Sequence, residues 1–235
     1  MQEGTRMRLF TGYFVGCAVV LLTSAVATGQ DGFREVSFEA SDGGRVFANF
    51  YAAERGDEES AVVLAHGMAF NKESWNELAG RLAKEGHRVL AIDFRGYGKS
   101  TAGREGRALD LDVLAAIKFL EENGAKRVSV VGGSMGGGAA ATAATKTREG
   151  QIDRLVLLAG VPISNPGKIQ GEKLFIVSGG DSLRARVEQQ FDAAPSPKTL
   201  VVLDGDAHAQ NIFRAAQAAQ LTKLIVAWLG EKTDR

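Results

Sequence analysis

Six short runs of almost uninterrupted apolar residues recur along the chain: Ala61–Ala65, Val89–Ile92, Val128–Val131, Leu155–Ala159, Leu174–Val177 and Leu200–Leu203. A strand with one wet face alternates polar and apolar residues. A continuously apolar strand is covered on both faces, as in a parallel sheet between two layers of helices. The intervals between the runs carry helical spacing. Leu109, Val113, Ile117 and Leu120 share one helix face, and Asn123-Gly124 supplies the stop. Trp75, Leu78 and Leu82 are spaced in the same way before Gly86, and the segments Met135–Lys146 and Asn211–Leu229 are also read as helical. Ahead of the first run, Phe33–Ala40 and Arg45–Ala53 flank Ser41-Asp42-Gly43-Gly44 and predict a β-hairpin. The expected architecture is a doubly wound α/β sheet of about eight strands, mostly parallel with an antiparallel N-terminal hairpin and helices on both faces. Between the fourth and fifth apolar runs, Gly160–Lys173 shows no helical period, so no substantial lid is expected there.

Arg6 and Arg8 precede an uncharged stretch, Leu9–Ala27, that closes with Ala25-Val26-Ala27. A basic start, an apolar core and small residues at the end describe a secretory signal peptide over residues 1–27, and thus an exported protein, periplasmic or secreted. Two other readings stand beside it. Residues 9–27 are long enough for a retained membrane anchor, and Cys17 would be the modified residue of a lipoprotein. Cys17 is the only cysteine, so a chain cleaved after Ala27 has neither disulfide nor thiol and depends on its core. No repeat or Pro/Ser-rich linker divides residues 28–235, which read as a single domain. Lysine plus arginine equals aspartate plus glutamate at 28 each, which offers no basic excess for nucleic acid.

Gly132-Gly133-Ser134-Met135-Gly136 follows a strand and opens a helix. A serine on so sharp a turn has an exposed Oγ, and small neighbours let the backbone fold beneath it. A serine nucleophile needs a base, and the chain has 3 histidines. His87 precedes its strand and falls at the far edge of the sheet, where it is read as a solvated surface residue. His66 follows a strand, but Gly67 beside it points to a structural place in a tight turn. His208 follows the last strand, on the edge where loops after parallel strands gather and ligands bind. Asp181, after Ser178-Gly179-Gly180, lies on the same edge and is the expected acid, with Asp204 and Asp206 as rivals. The catalytic set is therefore Ser134, Asp181 and His208, in nucleophile–acid–base order along the chain. Backbone N–H groups of Met135, after the serine, and of Met68, after the first parallel strand, are the candidates for an oxyanion hole.

The stretches Val62–Gly67, Asp93–Ser100, Gly132–Gly137, Gly179–Asp181 and Gly205–His208, in this order, resemble the α/β-hydrolase superfamily, in particular its small lidless serine esterases of dienelactone-hydrolase-like or monoacylglycerol-lipase-like type. The resemblance implies a serine hydrolase that cleaves small carboxylic esters through an acyl-enzyme. It also implies that Asp93 and Arg95, in Asp-Phe-Arg-Gly-Tyr-Gly-Lys-Ser, are scaffold. This chain departs from the pattern in carrying Gly133 before the serine and Ala207 before the histidine. The same triad could serve a peptidase or amidase, a thioesterase or an acyltransferase, and a non-catalytic binding module on the same scaffold is the reading from another class. Nucleotide binding by the Gly132–Gly138 run is disfavoured, because no lysine follows in Walker position. No cofactor or metal is expected, since the histidines have no carboxylate at ligand spacing. The expected partner is a small-molecule ester or related acyl compound, with no obligate protein partner evident.

Overall fold

The computed structural model describes residues 32–55 and 59–231. The expectations for residues 1–27, Cys17 among them, lie outside the described residues. Among the described residues, no helix is long and apolar enough to cross a membrane.

Eight strands form one sheet: β1 (Arg34–Glu39), β2 (Arg45–Tyr51), β3 (Ser60–Ala65), β4 (Arg88–Ile92), β5 (Arg127–Gly133), β6 (Arg154–Leu158), β7 (Glu172–Ser178) and β8 (Lys198–Leu203). Their spatial order is β1-β2-β4-β3-β5-β6-β7-β8. The β1–β2 and β2–β4 pairs are antiparallel, and all the others are parallel. The doubly wound α/β sheet with its antiparallel start is thus observed. The apolar runs are buried because they occupy the covered interior: every residue from Ala61 to Ala65 and from Leu155 to Leu158 is at most 1% exposed. Edge strand β8 has neighbours on one side only and is only partly buried.

Among the described residues, five α-helices cover the sheet: α1 (Asn76–Lys84), α2 (Leu109–Glu122), α3 (Met135–Ala144), α4 (Arg184–Ala193) and α5 (Ala218–Gly230). In α2 the expected stripe of Val113, Ile117 and Leu120 is fully buried. The helix ends at Asn123, and Gly124 takes the left-handed conformation (φ 91°) that a stop of this kind favours. The segment expected as one helix over Asn211–Leu229 is divided. A 3₁₀ helix spans Ala209–Arg214, Ala215 is extended, and α5 begins at Ala218. An apolar period cannot register that break, because both pieces bury apolar residues, Ile212 in the first and Leu221, Ile225 and Leu229 in the second. The interval after β6 carries a single 3₁₀ turn, Pro166–Lys168.

The loop after β4 is built on buried charge. Arg95 meets Asp42 of the β1–β2 turn (Nη1–Oδ2 2.8 Å, Nη2–Oδ1 3.1 Å) and Asp112 of α2 (Nε–Oδ1 3.0 Å, Nη2–Oδ1 2.8 Å), and Nη1 also donates to Gly106 O at 3.0 Å. All three side chains are at most 3% exposed. The guanidinium holds the Asp42 carboxyl well below the usual carboxylate range. Asp93 accepts from both the backbone N–H and the ammonium of Lys72, each at 2.9 Å. Ser100 Oγ donates to Asp93 O and accepts from Phe47 N–H, which pins the same loop to β2. Asp93 and Arg95 are scaffold, as the resemblance implied.

Two histidines depart from the solvated average. His87 is 6% exposed, with Nδ1 2.8 Å from Ser60 Oγ, so the expected surface role is corrected: the strand start at β4 is covered by its neighbour β3. His66, just past β3, is fully buried. Burial lowers the pKa of both, and for His87 the nearby Arg127 adds to the effect.

Two outcomes follow from these groups. Arg95→Met leaves Asp42 and Asp112 buried without a counter-charge, and chemical denaturation should show a loss of about 3–5 kcal/mol. Because His66 and His87 have folded pKa values below the unfolded one, the unfolded chain takes up protons first as pH falls below about 6.5. Stability should therefore be fully present above that pH and decline below it, by up to about 1.4 kcal/mol per pH unit for each histidine. Denaturation midpoints between pH 7.5 and 5.5 would show it, with a shallower slope in His87→Gln.

Candidate active site

The site forms where β5 turns into α3. Ser134 is the turning residue, with φ 50° and ψ −112°, a conformation that L-residues other than glycine rarely adopt. Its surroundings hold it there. Ser134 N–H donates to Leu158 O at 2.9 Å, and Ser134 O accepts from Gly138 N–H at 3.0 Å and Val161 N–H at 2.9 Å. The turn also needs α3 to lie almost against the end of β3. A Cβ on Gly136 would stand 2.2 Å from Ala65 O, so no other residue fits without moving the helix. Beyond the glycines, Ala139–Ala141, Ala143 and Ala144 keep the buried face of α3 thin enough to continue that close approach.

Asp181 and His208 arrive from the far side of the sheet. The parallel pairing of β7 and β8 continues beyond the strands: Gly179 N–H donates to Leu203 O at 2.7 Å and Gly180 N–H to Gly205 O at 2.8 Å. Ser178 Oγ adds a bond to Ala207 O at 2.6 Å. These bonds zip the loop carrying Asp181 to the loop carrying His208. The result is a hydrogen-bonded line: Asp181 Oδ2 to His208 Nδ1 at 2.8 Å and His208 Nε2 to Ser134 Oγ at 2.8 Å. The second carboxylate oxygen of Asp181 accepts from Leu183 N–H at 2.8 Å, which fixes its rotation. Asp181 is 6% exposed. The rivals Asp204 and Asp206 are exposed, and among the described residues neither bonds to His208.

The loop after β3 closes over the serine. A Cβ on Gly67 would lie 3.4 Å from Ser134 Cβ. His66 sits beneath this loop, with Nδ1 2.8 Å from Gly67 O and Nε2 accepting from Phe94 N–H at 3.2 Å. The N–H is therefore on Nδ1, assigned from the partners, and the ring is neutral and structural. Tyr97, which the sequence did not single out, donates its hydroxyl to Met68 O at 2.9 Å and has Met135 Sδ at 3.9 Å. Among the described residues, the Met68 and Met135 amides have no protein acceptor. Met68 is 67% exposed and Val161 is 40% exposed, which leaves an apolar rim around Ser134. His87 and the exposed Arg104 and Arg107 form no hydrogen bond with Ser134, Asp181 or His208. Among the described residues, no cluster of histidine, cysteine, aspartate or glutamate could hold a metal.

Gly136→Ala places a methyl group against a carbonyl oxygen that cannot retreat without opening the β3–β5 pairing. It should lower stability by about 3 kcal/mol or more, measured by chemical denaturation, while Gly80→Ala, with open space around its Cβ position, should not.

The comparisons with known proteins agree with this fold. A family model described as the α/β hydrolase fold matches residues 60–202. The chain is 30% identical over 157 residues to a non-heme chloroperoxidase from Streptomyces lividans, covering 66% of this chain and 52% of that protein. It is 33% identical over 104 residues to a bifunctional esterase/perhydrolase from Acinetobacter calcoaceticus, covering 43% of this chain and 37% of that protein. The chain thus spans about half the length of the curated relatives it matches, or less. Among solved structures, an esterase from Pyrococcus furiosus superimposes with a TM-score of 0.71 at 20% identity, covering 84% of this chain and 91% of that one. A dienelactone hydrolase from Anabaena variabilis gives 0.68 at 22% identity, covering 84% and 97%. With its match spanning the sheet from β3 into β8, the chain belongs to the α/β-hydrolase family.

Proposed function

We propose that the protein is a serine hydrolase that cleaves small carboxylic esters through an acyl-enzyme. One observation carries the reading: His208 Nε2 lies 2.8 Å from Ser134 Oγ while its Nδ1 lies 2.8 Å from Asp181 Oδ2. A serine hydroxyl is a weak nucleophile until a base takes its proton as the bond forms. His208 is placed to do so, and Asp181 holds the ring in the tautomer whose Nε2 is free to accept. Ser134 Oγ attacks the ester carbon, and the carbonyl oxygen becomes an anion that the Met68 and Met135 amides receive. Collapse of this intermediate breaks the ester bond, and His208 returns the proton to the departing alcohol. Water then repeats the sequence on the acyl-enzyme and frees Ser134.

The open apolar rim of Met68 and Val161 supports a short acyl or alcohol group and offers little to grip a long chain. The name of the Acinetobacter relative, esterase/perhydrolase, favours one further reaction of the same acyl-enzyme, release by hydrogen peroxide in place of water. Residues 28–235 would form one hydrolase domain. Export on residues 1–27 belongs to the same proposal and is checked by N-terminal sequencing of the protein made by its source cell.

Covalent labelling with a fluorophosphonate, mapped by mass spectrometry, tests the reading without a choice of substrate. The expected label is on Ser134 and is lost in Ser134→Ala and His208→Ala. Asp181→Asn should label and turn over short esters slower by a factor on the order of 10³–10⁴. Folded protein that takes no label would overturn the proposal in favour of a non-catalytic module.

A further inference from the structure

Gln210, two residues past His208, is 4% exposed and reaches from the histidine loop to the loop after β3 and to the residue before the serine. Its Oε1 accepts from Gly67 N–H at 2.6 Å. Its Nε2 donates to Ser74 Oγ at 2.7 Å, and the Ser74 hydroxyl hydrogen goes to Asn71 O. This chain of donors and acceptors has one satisfied direction, so the amide orientation is fixed by its partners. The stem of the same side chain lies over the residue before the serine: a Cβ on Gly133 would stand 3.2 Å from Gln210 Cγ and from Oε1. The backbone is strained to put it there. Ala209, 1% exposed, has φ 47°, an uncommon conformation for alanine that persists where surrounding contacts hold it.

The two residues that follow His66 are therefore tied at every backbone polar atom but one. Gly67 N–H goes to Gln210, Gly67 O accepts from the His66 ring and from Phe70 N–H, and Met68 O accepts from Tyr97. Met68 N–H is the atom left over. We propose that Gln210 is a positioning residue, which, by occupying the Gly67 amide, aims the Met68 amide at the developing oxyanion and locks the oxyanion loop to the loop that carries His208. The proposal rests on the serine-hydrolase reading. Without the Gln210 acceptor, Gly67 N–H becomes a donor with no partner, and the His66–Gly67 peptide that carries it can turn to seek one, displacing the Met68 amide one residue on. That change is felt where negative charge develops on the oxygen, and it leaves the hydrogen bonds of His208 to Asp181 and Ser134 alone.

The test is the kinetics of fluorophosphonate labelling of the full chain, which separates probe binding (KI) from the bond-forming step (kinact). Gln210→Met keeps length and burial but has no comparable acceptor. Its kinact should fall roughly tenfold to a hundredfold, less than the hundredfold to thousandfold typical when an oxyanion donor itself is lost. KI should stay within about twofold, and the pH at which kinact is half-maximal should not move. Ser74→Ala frees the amide to rotate and should lower kinact about threefold with the same pH midpoint; it decides the matter if Gln210→Met does not fold. An unchanged kinact in folded Gln210→Met, or a loss that follows a shifted pH midpoint, overturns the positioning role while wild-type labelling on Ser134 keeps the hydrolase reading. No label on wild-type Ser134 overturns both.

Discussion

The contact between α3 and the end of β3 is the constraint on which the rest of the site depends. Gly136 leaves no room for a side chain against Ala65 O, so the helix begins immediately after the strand and Ser134 is forced into its left-handed turn. Two results follow from that single approach. The serine side chain is lifted out of the sheet, and the first N–H of the helix, at Met135, is left without an acceptor beside it. An unpaired helix N-terminus is a favourable place for negative charge. The geometry for a nucleophile and for half of an anion site thus arises from one close packing contact.

A site built from loops must also stop those loops from moving, and here buried polar groups do so. Arg95 joins the β1–β2 turn, the loop after β4 and the start of α2, and its charge is matched by Asp42 and Asp112. Tyr97, two residues on, reaches from that braced loop to Met68 O. On the other side, the extension of the β7–β8 pairing delivers Asp181 and His208 together. Gln210 then spans the gap between the histidine loop and the loop after β3. The Arg95 and Gln210 ties use hydrogen bonds whose partners are buried, and breaking one leaves a group that water cannot reach. Such networks set geometry more sharply than apolar packing does.

Much of this was legible along the chain. The apolar runs disclosed the parallel sheet because burial on both faces leaves no polar positions. The edge on which Ser134, Asp181 and His208 lie follows from their places after strands β5, β7 and β8. Three features escaped. The place of His87 before its strand suggests a solvated residue, yet it is buried against Ser60, since nothing in the order of residues says that β3 covers the start of β4. The helix expected over Asn211–Leu229 is broken at Ala215, since apolar spacing is blind to a change of backbone between two pieces that both bury apolar residues. Gln210 carried no signal, as a glutamine beside a histidine is unremarkable until the loop after β3 is brought over it.

By itself, then, the sequence determined the kind of sheet, the strand-to-helix turn at Gly132–Gly136 and the order of Ser134, Asp181 and His208 along one sheet edge, because each is written in local pattern or in position relative to a strand. The place of Asp181 after β7 made it the expected partner of His208, but only tertiary structure brings the two together, and it alone decided which groups pin the loop after β3 and which amides stay free. Those are distances between segments far apart in the chain: Asp181, Asp204 and Asp206 have the same chemistry, and only the pairing of β7 with β8 sets one of them 2.8 Å from the imidazole.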